Sequence, residues 1–413
     1  MKTSSQLLRD CIENSVKKQG IEFAEDYGKF GLWSDPFSNY EYPLSSNLDI
    51  SFIDRVKEIE NLSKNLVNSF LGKGEDVAII GAEGIGARSL VNLFKDYAYS
   101  LENEEDNSIN MKIKGKLQDI FVPKASTVNE DILSTLKTQI EFAIKQKKTI
   151  LVLSSFDEKE NLIGKTSPTR IQYRRLLEMD RFSHDLTIFF SPWNATAFDY
   201  MLEEEFSAAS IYEDIVYLEP LDKRNTINLL KTRLKMFSNE ETKKINLFSD
   251  DGIGTIAEYS GGIPKFALKF SSIILNEAIA SKRSSSIDKK YVETTLNLQG
   301  YKSYSEVSND LKILIPRHWW ETKHGKIRTE MKILKYAILI ARPSTSTEIG
   351  KLIGKSRVAV LENLKKLEKA GIISYTESQN DSRKRPFIVN DFAKSIFEHE
   401  FIIPEIKKRI ENQ

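Results

Sequence analysis

Hydrophobic and polar positions change their spacing several times along the first half of the chain. Four short apolar runs predict buried strands, and the segments between them repeat apolar residues every three or four positions, as helices do. Alternating strands and helices predict an α/β fold whose parallel sheet carries helices on both faces. The four runs are the one from Val77 to Ile80, DIFVPK, KTILVLSSF and DLTIFFSPW.

The second half of the chain is different, because the strand signals stop at Asp222. KRNTINLLKTRLKMF, DGIGTIAEYSGGIPKFALKFSSIILNEAIAS and DKKYVETTLNL have helical spacing and predict a helical lid. Three further helices follow in EMKILKYAILIA, TSTEIGKLIG and SRVAVLENLKKLEKAG, and Ser356 and Gly371 are the expected N-cap and stop of the last one. The strands IISYT and PFIVND then form a hairpin, so this order predicts a winged helix-turn-helix domain.

These patterns divide the chain into four parts. With 413 residues, of which 40% are hydrophobic, the chain is long enough for several cores. We expect a lead-in at 1–50, an α/β core at 51–218, a lid at 219–300, and a linker with the winged helix at 301–413. No apolar run approaches the roughly 20 residues that span a bilayer, and no signal peptide pattern opens the chain. The expectation is a cytoplasmic protein with no membrane partner.

Composition argues against a metal centre and locates positive charge at the C-terminus. One cysteine and four scattered histidines make no zinc cluster, so no metal is expected. The net charge of +1 hides an asymmetry: residues 323–413 contain 19 Lys and Arg against 11 Asp and Glu, which leaves 41 against 48 elsewhere. A basic C-terminal domain is typical of a module that binds a polyanion, although a solvated basic face gives the same pattern.

The stretch VAIIGAEGIGARSLVNLF has the strand, glycine loop and helix order of a phosphate-binding loop. Where catalytic loops place lysine and then serine or threonine, this chain has Ala87 and Arg88. Backbone N–H groups at a helix N-terminus attract anions without a lysine, so ATP or ADP could still bind weakly without turnover. The candidate nucleotide-binding residues are Gly81, Gly84, Gly86, Ala87, Arg88 and Ser89, with Lys265 in the lid.

Other parts of an ATPase are also missing from their expected places. The strand in KTILVLSSF ends in Ser154 and Ser155, where acids would hold Mg²⁺ and the attacking water. No arginine or lysine occurs between Phe182 and Asp222, where an arginine finger is expected. Lys265 stands where a sensing arginine is common, and it lacks the bidentate geometry of arginine. We expect no catalytic residues.

The chain from about Trp33 onward resembles the archaeal and eukaryotic origin-recognition and initiator branch of the AAA+ proteins. The resemblance rests on WSDPF with FIDRVKEIENL, GAEGIGARS, ILVLSSFDE, IYEDIVYLEPLDKRNTINLLKTRLKMF, GGIPKFALKF and the winged helix. It implies a P-loop AAA+ core with a helical lid, ATP between sheet and lid, and recognition of double-stranded DNA. It also implies protein partners, either a second copy or other AAA+ initiator subunits, and a nucleoid location if the source is archaeal.

The winged helix resembles DNA-binding modules whose third helix enters the major groove and whose wing touches the backbone. That resemblance implies contacts at the start of the third helix and at the wing tip, and an insertion in the AAA+ core is similar in placement to a second DNA contact. Leu361 and Glu362 lie where polar or basic groove-facing residues are usual, which puts base reading in question. The implied DNA-binding residues are Lys355, Ser356, Arg357, Arg383, Lys384, Arg385, Arg170, Arg174 and Arg175.

The leading hypothesis is a DNA-binding, initiator-like AAA+ protein that does not hydrolyse ATP. Several alternatives share parts of this sequence pattern. An atypical NTPase could use Arg88 and Ser89, one residue late, as the lysine and serine of the loop. A winged-helix transcriptional regulator or partner-recruiting adaptor needs no origin, and the winged helix itself could contact protein instead of DNA. A DNA transposition or defence ATPase would require intact turnover.

Overall fold

The structure is a computed structural model, and the chain forms two compact units that are each discontinuous in sequence. One unit comprises residues 1–54 and 220–304, and the other comprises residues 55–219 and 305–413. The residues that the structure describes are 27–38, 53–70, 77–93, 117–120, 138, 142, 145–146, 150–153, 187–190, 195–204, 214–238, 247–283, 285–315, 329–340, 342–376 and 385–411.

A five-stranded parallel sheet forms the centre of the larger unit. The strand order is β2-β3-β4-β1-β5, so β1 lies between the last two strands of the chain order. Every residue of β1 is buried, as expected for a central strand of a parallel sheet. The elements are α1 (Val56–Phe70), β1 (Val77–Gly81), β2 (Leu117–Ile120), β3 (Ile150–Leu153), β4 (Thr187–Phe190), α2 (Ala195–Glu204) and β5 (Asp214–Leu218).

The smaller unit contains the helical lid that the sequence predicts. Three of the four helices given below are capped by side chains: Asp222, Ser249 and Asp288 each accept a backbone N–H from the following first turn. The described part of the lead-in, residues 27–38, packs on this unit, where Asp35 accepts a hydrogen bond from Ser272 Oγ at 2.5 Å. The helices are α3 (Lys223–Phe237), α4 (Asp250–Ser260), α5 (Pro264–Ala280) and α6 (Lys289–Leu298).

The C-terminal region has the element order predicted for a winged helix. Three helices are followed by a two-stranded antiparallel hairpin. Ser344 pairs with Phe387 of this hairpin through an isolated antiparallel bridge. Three helices that the sequence patterns did not predict come after the hairpin. The elements are α7 (Tyr304–Leu314), α8 (Thr329–Ile340), α9 (Ser346–Ile353), α10 (Arg357–Lys369), β6 (Ile373–Tyr375), β7 (Phe387–Val389), α11 (Asp391–Phe397), a π-helix (Glu398–Ile402) and α12 (Ile403–Glu411).

A buried ionic cluster joins the first helix of the winged helix to the sheet domain. Lys335 of α8 is only 5% exposed and pairs with Asp199 and with Glu203 of α2, the latter at 2.6 Å. Arg409 of α12 contacts the same two carboxylates, with Nη2 2.8 Å from Glu203 Oε1. Apolar contacts lie beside the cluster, where Tyr200 and Tyr336 meet edge to face. The winged helix is therefore packed on α2 within one compact unit.

Candidate nucleotide-binding loop and nucleic-acid interface

The glycine loop begins where β1 ends and has a tight, left-handed backbone. Gly84 and Gly86 have φ of 78° and 102°, values that a side chain disfavours. A Cβ on Gly81 would lie 2.5 Å from Ile85 Cγ2, so the loop closes directly on its own strand end. The loop lies at the carboxyl end of a central strand, where parallel α/β sheets bind their ligands.

The helix after the loop begins without an extra residue. Residues 87–93 are helical, and Leu90 N–H donates to Gly86 O at 2.9 Å in the first turn. Ala87 therefore occupies the position of the usual lysine, and Arg88 occupies that of the usual Mg²⁺-binding hydroxyl. Ala87, Arg88 and Ser89 are all half-buried. The spacing predicted from the sequence is present, and the chemistry at these two positions differs from that of a catalytic loop.

One buried arginine fixes the loop to the end of β5. Arg55, 6% exposed, donates from Nη2 to Ile85 O at 3.1 Å and from Nη1 to Glu219 O at 2.6 Å. Its Nη1 also pairs with Glu58 at 3.1 Å. Arg55 lies in the FIDRVKEIENL motif quoted above, but its contact with the loop is visible only in the structure.

The C-terminal segment, residues 391–411, holds the loop at Glu83. Glu83 N–H donates to Glu398 Oε2 at 2.8 Å, and Ser395 Oγ donates to Glu83 O at 2.7 Å. Lys394 Nζ lies 2.5 Å from Glu83 Oε2. The second oxygen of Glu398 accepts from Thr196 Oγ1 of α2 at 2.9 Å. Sequence patterns gave no sign of these contacts, because the partners are 202 to 315 residues apart along the chain.

Burial dominates the electrostatics of Glu398, whose side chain has no solvent exposure. Burial raises the pKa of this carboxyl from 4.5 to about 7, and the nearby Glu83 carboxylate raises the pKa as well. Lys394 and the hydrogen bonds from Glu83 N–H and Thr196 oppose this shift. The carboxyl therefore changes its protonation state near neutral pH.

The lid residue proposed for the nucleotide site lies in the smaller unit. Lys265 follows Pro264, the first residue of α5, and its Nζ lies 5.9 Å from the centre of the Phe266 ring. The preceding Gly262 has φ of 78°, and a Cβ there would lie 1.9 Å from Leu221 O. Gly262 of GGIPKFAL is thus required by the close approach of the backbone before α5 to Leu221 at the lid entry.

The described DNA-binding candidates lie on the exposed surface of the winged helix. Lys355 and Arg357 flank the start of α10, and Arg385 lies just before β7 of the wing; all three are exposed. Ser356 is the N-cap that the sequence predicted, since its hydroxyl accepts Ala359 N–H at 3.3 Å. Further exposed basic residues that we did not single out from the sequence are Lys351, Lys365 and Lys369.

The outward face of α10 is not uniformly basic. Val358 is 66% exposed near the start of the helix, and Glu362 is exposed one turn later. Leu361 is half-buried, so it is partly removed from the surface. A helix that faced a DNA groove with this surface would present one apolar and one acidic side chain beside its basic residues.

Several sequence predictions lie outside the described residues. They include the insertion arginines Arg170, Arg174 and Arg175, the wing residues Arg383 and Lys384, and the strand-end residues Ser154 and Ser155. Among the residues that the structure does describe, no group of three or more His, Cys, Asp or Glu is arranged to hold a metal ion. In the same part of the chain, no helix has the length and apolarity needed to cross a membrane.

The sheet order, the loop after β1, the helical lid and the C-terminal winged-helix order together match the predicted fold class. The chain has an AAA+-type fold. No protein-family model matches it. An uncharacterized HTH-type transcriptional regulator of Methanocaldococcus jannaschii is 20% identical over 335 residues, covering 72% of this chain and 80% of that protein.

Solved structures with similarity to this chain include AAA+ proteins of two kinds. The Aeropyrum pernix ORC1 protein in complex with DNA is 14% identical, with 86% of this chain and 94% of that chain covered and a TM-score of 0.46. The Aeropyrum pernix ORC2 protein in its ADP form is 14% identical, with 87% and 95% covered and a TM-score of 0.45. The Thermotoga maritima RuvB Holliday junction branch migration motor is 16% identical, with 84% and 96% covered and a TM-score of 0.39.

Proposed function

We propose that this chain is an initiator-like DNA-binding protein of AAA+-type fold that does not hydrolyse ATP. The observation that carries the DNA-binding part is the exposed basic surface formed by Lys355, Arg357 and Arg385 at the start of α10 and on the wing. Cations at these positions of a winged helix suit contacts with duplex phosphates. The net positive charge of residues 323–413 adds long-range attraction to the same polyanion.

The start of α10 supports the proposal for a second reason. Ser356 caps the helix with its side chain, and the helix then carries no acidic residue in its first turn. The partial positive charge of a helix N-terminus and the flanking cations therefore have the same sign, which favours a phosphate group there. Glu362, one turn later, is a carboxylate that could accept a hydrogen bond from a cytosine amino group.

The absence of hydrolysis is inferred from the chemistry of the loop. The helix begins at Ala87 directly after Gly86, so the alternative in which Arg88 and Ser89 act one residue late would need a rearranged first turn. Arg88 cannot supply the hydroxyl that binds Mg²⁺, and Ala87 has no charge for the β- and γ-phosphates. Each lost group normally stabilises charge in the transition state.

Phosphate release from ATP tests this proposal directly. The full chain with Mg²⁺ and ATP should release no more phosphate than an Arg88→Ala variant, with or without a saturating DNA duplex. Turnover that requires Arg88 would contradict the proposal and favour the atypical NTPase. An RNA duplex of the same length is the matched control for any stimulation by nucleic acid.

A transcriptional regulator is the second candidate, and one observation favours it: the M. jannaschii relative is named as an HTH-type transcriptional regulator. Such a protein would share the winged helix and the inactive loop but bind near promoters. Footprinting on genomic fragments from the source organism separates the two, because a promoter-proximal site indicates regulation and a replication-origin site indicates initiation.

A further inference from the structure

Glu83, the third residue of the glycine loop, has all three of its polar groups held by the C-terminal segment. Glu398 accepts its N–H, Ser395 donates to its carbonyl oxygen, and Lys394 pairs with its carboxylate. The three distances lie between 2.5 and 2.8 Å. A loop whose usual partner is a ligand is here bonded to its own chain.

The contact is built into a packed surface. Ser395 and Glu398 have no exposed surface, and Lys394 keeps only 15% of its side chain exposed. Glu398 follows Lys394 by four residues and Ser395 by three, which places the three side chains on one helical face toward the loop. Phe397, Phe401 and Ile402 are fully buried in the same segment, so apolar packing holds this face in place.

The chemistry of this face opposes a polyphosphate. N–H groups of glycine loops bind anions, and Glu398 supplies an acceptor oxygen to one of those groups in place of a phosphate oxygen. The carboxyl groups of Glu83 and Glu398 lie together at the loop, beside the cation of Lys394. The phosphate groups of a nucleoside diphosphate or triphosphate in the loop would lie close to these acids. Their negative charges would repel those of the acids strongly, because the site is buried.

We propose that the C-terminal segment is an internal ligand of the glycine loop, and that it and a nucleotide polyphosphate exclude one another through Glu398. Nucleotide binding then requires residues 391–411 to leave Glu83. The inference rests on the proposed non-hydrolysing function and deepens it, because residues 391–411 then occupy the loop in place of a nucleotide. It does not depend on DNA binding, since every contact lies within the unit that contains the sheet and the winged helix.

Equilibrium dialysis of radiolabelled ADP against the full chain tests the exclusion. Glu398→Ala removes the acceptor, and Glu398→Gln keeps the shape and one acceptor but removes the charge. Glu411→Gln is the matched control, because it neutralises an exposed acid of the same segment. Inorganic pyrophosphate as competitor shows whether the polyphosphate group is what binds. Circular dichroism establishes that each variant is folded, and Ser395→Ala provides a second variant of the contact.

The expected result is an ADP affinity at least tenfold higher for Glu398→Ala, an intermediate gain for Glu398→Gln and for Ser395→Ala, and none for Glu411→Gln. Hydrogen exchange of residues 391–411 should speed up in the wild-type chain when ADP is added. Equal affinities in all folded variants, no binding by any of them, or ADP that protects residues 391–411 would each overturn the internal-ligand proposal. Phosphate release from ATP would contradict the proposed function and leave this exclusion standing.

Discussion

At the scale of single residues, Glu398 has the most unusual environment in the described chain segments near the loop. It is buried, it receives hydrogen bonds from Glu83 N–H and Thr196 Oγ1, and Lys394 lies nearby. Ionisation of a carboxyl in this position lowers stability, because the free energy lost by removing water from the charge exceeds the attraction of the nearby Lys394. The loop contact is therefore sensitive to the protonation of one group.

The pH dependence of stability follows from the sign of this shift. The pKa of Glu398 is raised from 4.5 to about 7 in the folded chain. Between these values the carboxyl is ionised in the unfolded chain and protonated in the folded chain. The contribution of Glu398 to stability is therefore full below pH 4.5 and is lost as pH rises to about 7. The full effect is about 3 kcal/mol.

Thermal unfolding of the wild-type chain and Glu398→Gln between pH 5 and 8 measures this effect. We expect the midpoint of the wild-type chain to fall relative to the variant as pH rises to about 7 and then to stay parallel to it. Glu411→Gln should follow the wild-type curve. A constant difference between wild type and Glu398→Gln at every pH would show that Glu398 ionises at its ordinary value.

Residue patterns predicted the glycines and the helix caps well, because their requirements are local. Gly84 and Gly86 have the positive φ that a glycine loop needs, and Ser356 caps the third helix as expected. Arg55 and Glu398 were not predicted, since neither residue has a local sequence signature of a contact far along the chain. Their roles depend on residues 30 to 315 positions away.

At the scale of elements, α2 is the surface on which the C-terminal elements assemble. α8 contacts it through Lys335, and α12 contacts it through Arg409. Burial raises the pKa of Glu203, but Lys335 and Arg409 outweigh burial, so its pKa is lowered overall. Removing Lys335 leaves Asp199 and Glu203 with Arg409 as the remaining cation of the cluster, and a buried carboxylate that is only partly compensated is strongly destabilising.

Lys335→Met should therefore lower the free energy of unfolding by about 3 to 5 kcal/mol. The substitution keeps the apolar stem of the side chain, so the loss measures the charge. Lys365→Met, at an exposed position of α10, is the control and should change stability by less than about 0.5 kcal/mol. Chemical denaturation followed by circular dichroism provides the measurement, and equal stability of the two variants would show that the cluster is dispensable.

Helices with strong spacing were predicted with nearly correct bounds, and α3, α9 and α10 are examples. β5 was missed although DIVYL contains four successive apolar residues, because this stretch was assigned to the entry of the lid. In the structure it is an edge strand with two of its five residues buried. The helices after the wing were missed for another reason. A π-helix lies between α11 and α12, so the apolar residues of the two helices do not share one regular α-helical period.

At the scale of the whole molecule, sequence order does not show which segments pack together. The winged helix is at the C-terminus, yet it belongs to the compact unit of the sheet. Residues 27–38 of the lead-in belong to the unit of the lid. The sequence predicted the fold class because strand and helix periodicity is local. The loop chemistry was also visible in the sequence, whereas the contact of residues 391–411 with the loop depends on three-dimensional packing.

The central claim is that the winged helix binds duplex DNA through Lys355, Arg357 and Arg385. The most direct test is the affinity of the full chain for a random duplex across a salt series, compared with a variant in which these three residues are alanine. The matched control changes Lys231, Lys289 and Lys290 of the lid unit to alanine, which removes the same charge elsewhere. Each lost phosphate contact should reduce the slope of log affinity against log salt by about 0.9.

The account predicts that the wild-type chain and the lid control show the same steep slope, and that the winged-helix variant loses about 2 to 3 units of it. If neither the wild-type chain nor the variants bind, or if the winged-helix variant keeps the full slope, the basic surface does not contact DNA and the winged helix serves protein contacts instead.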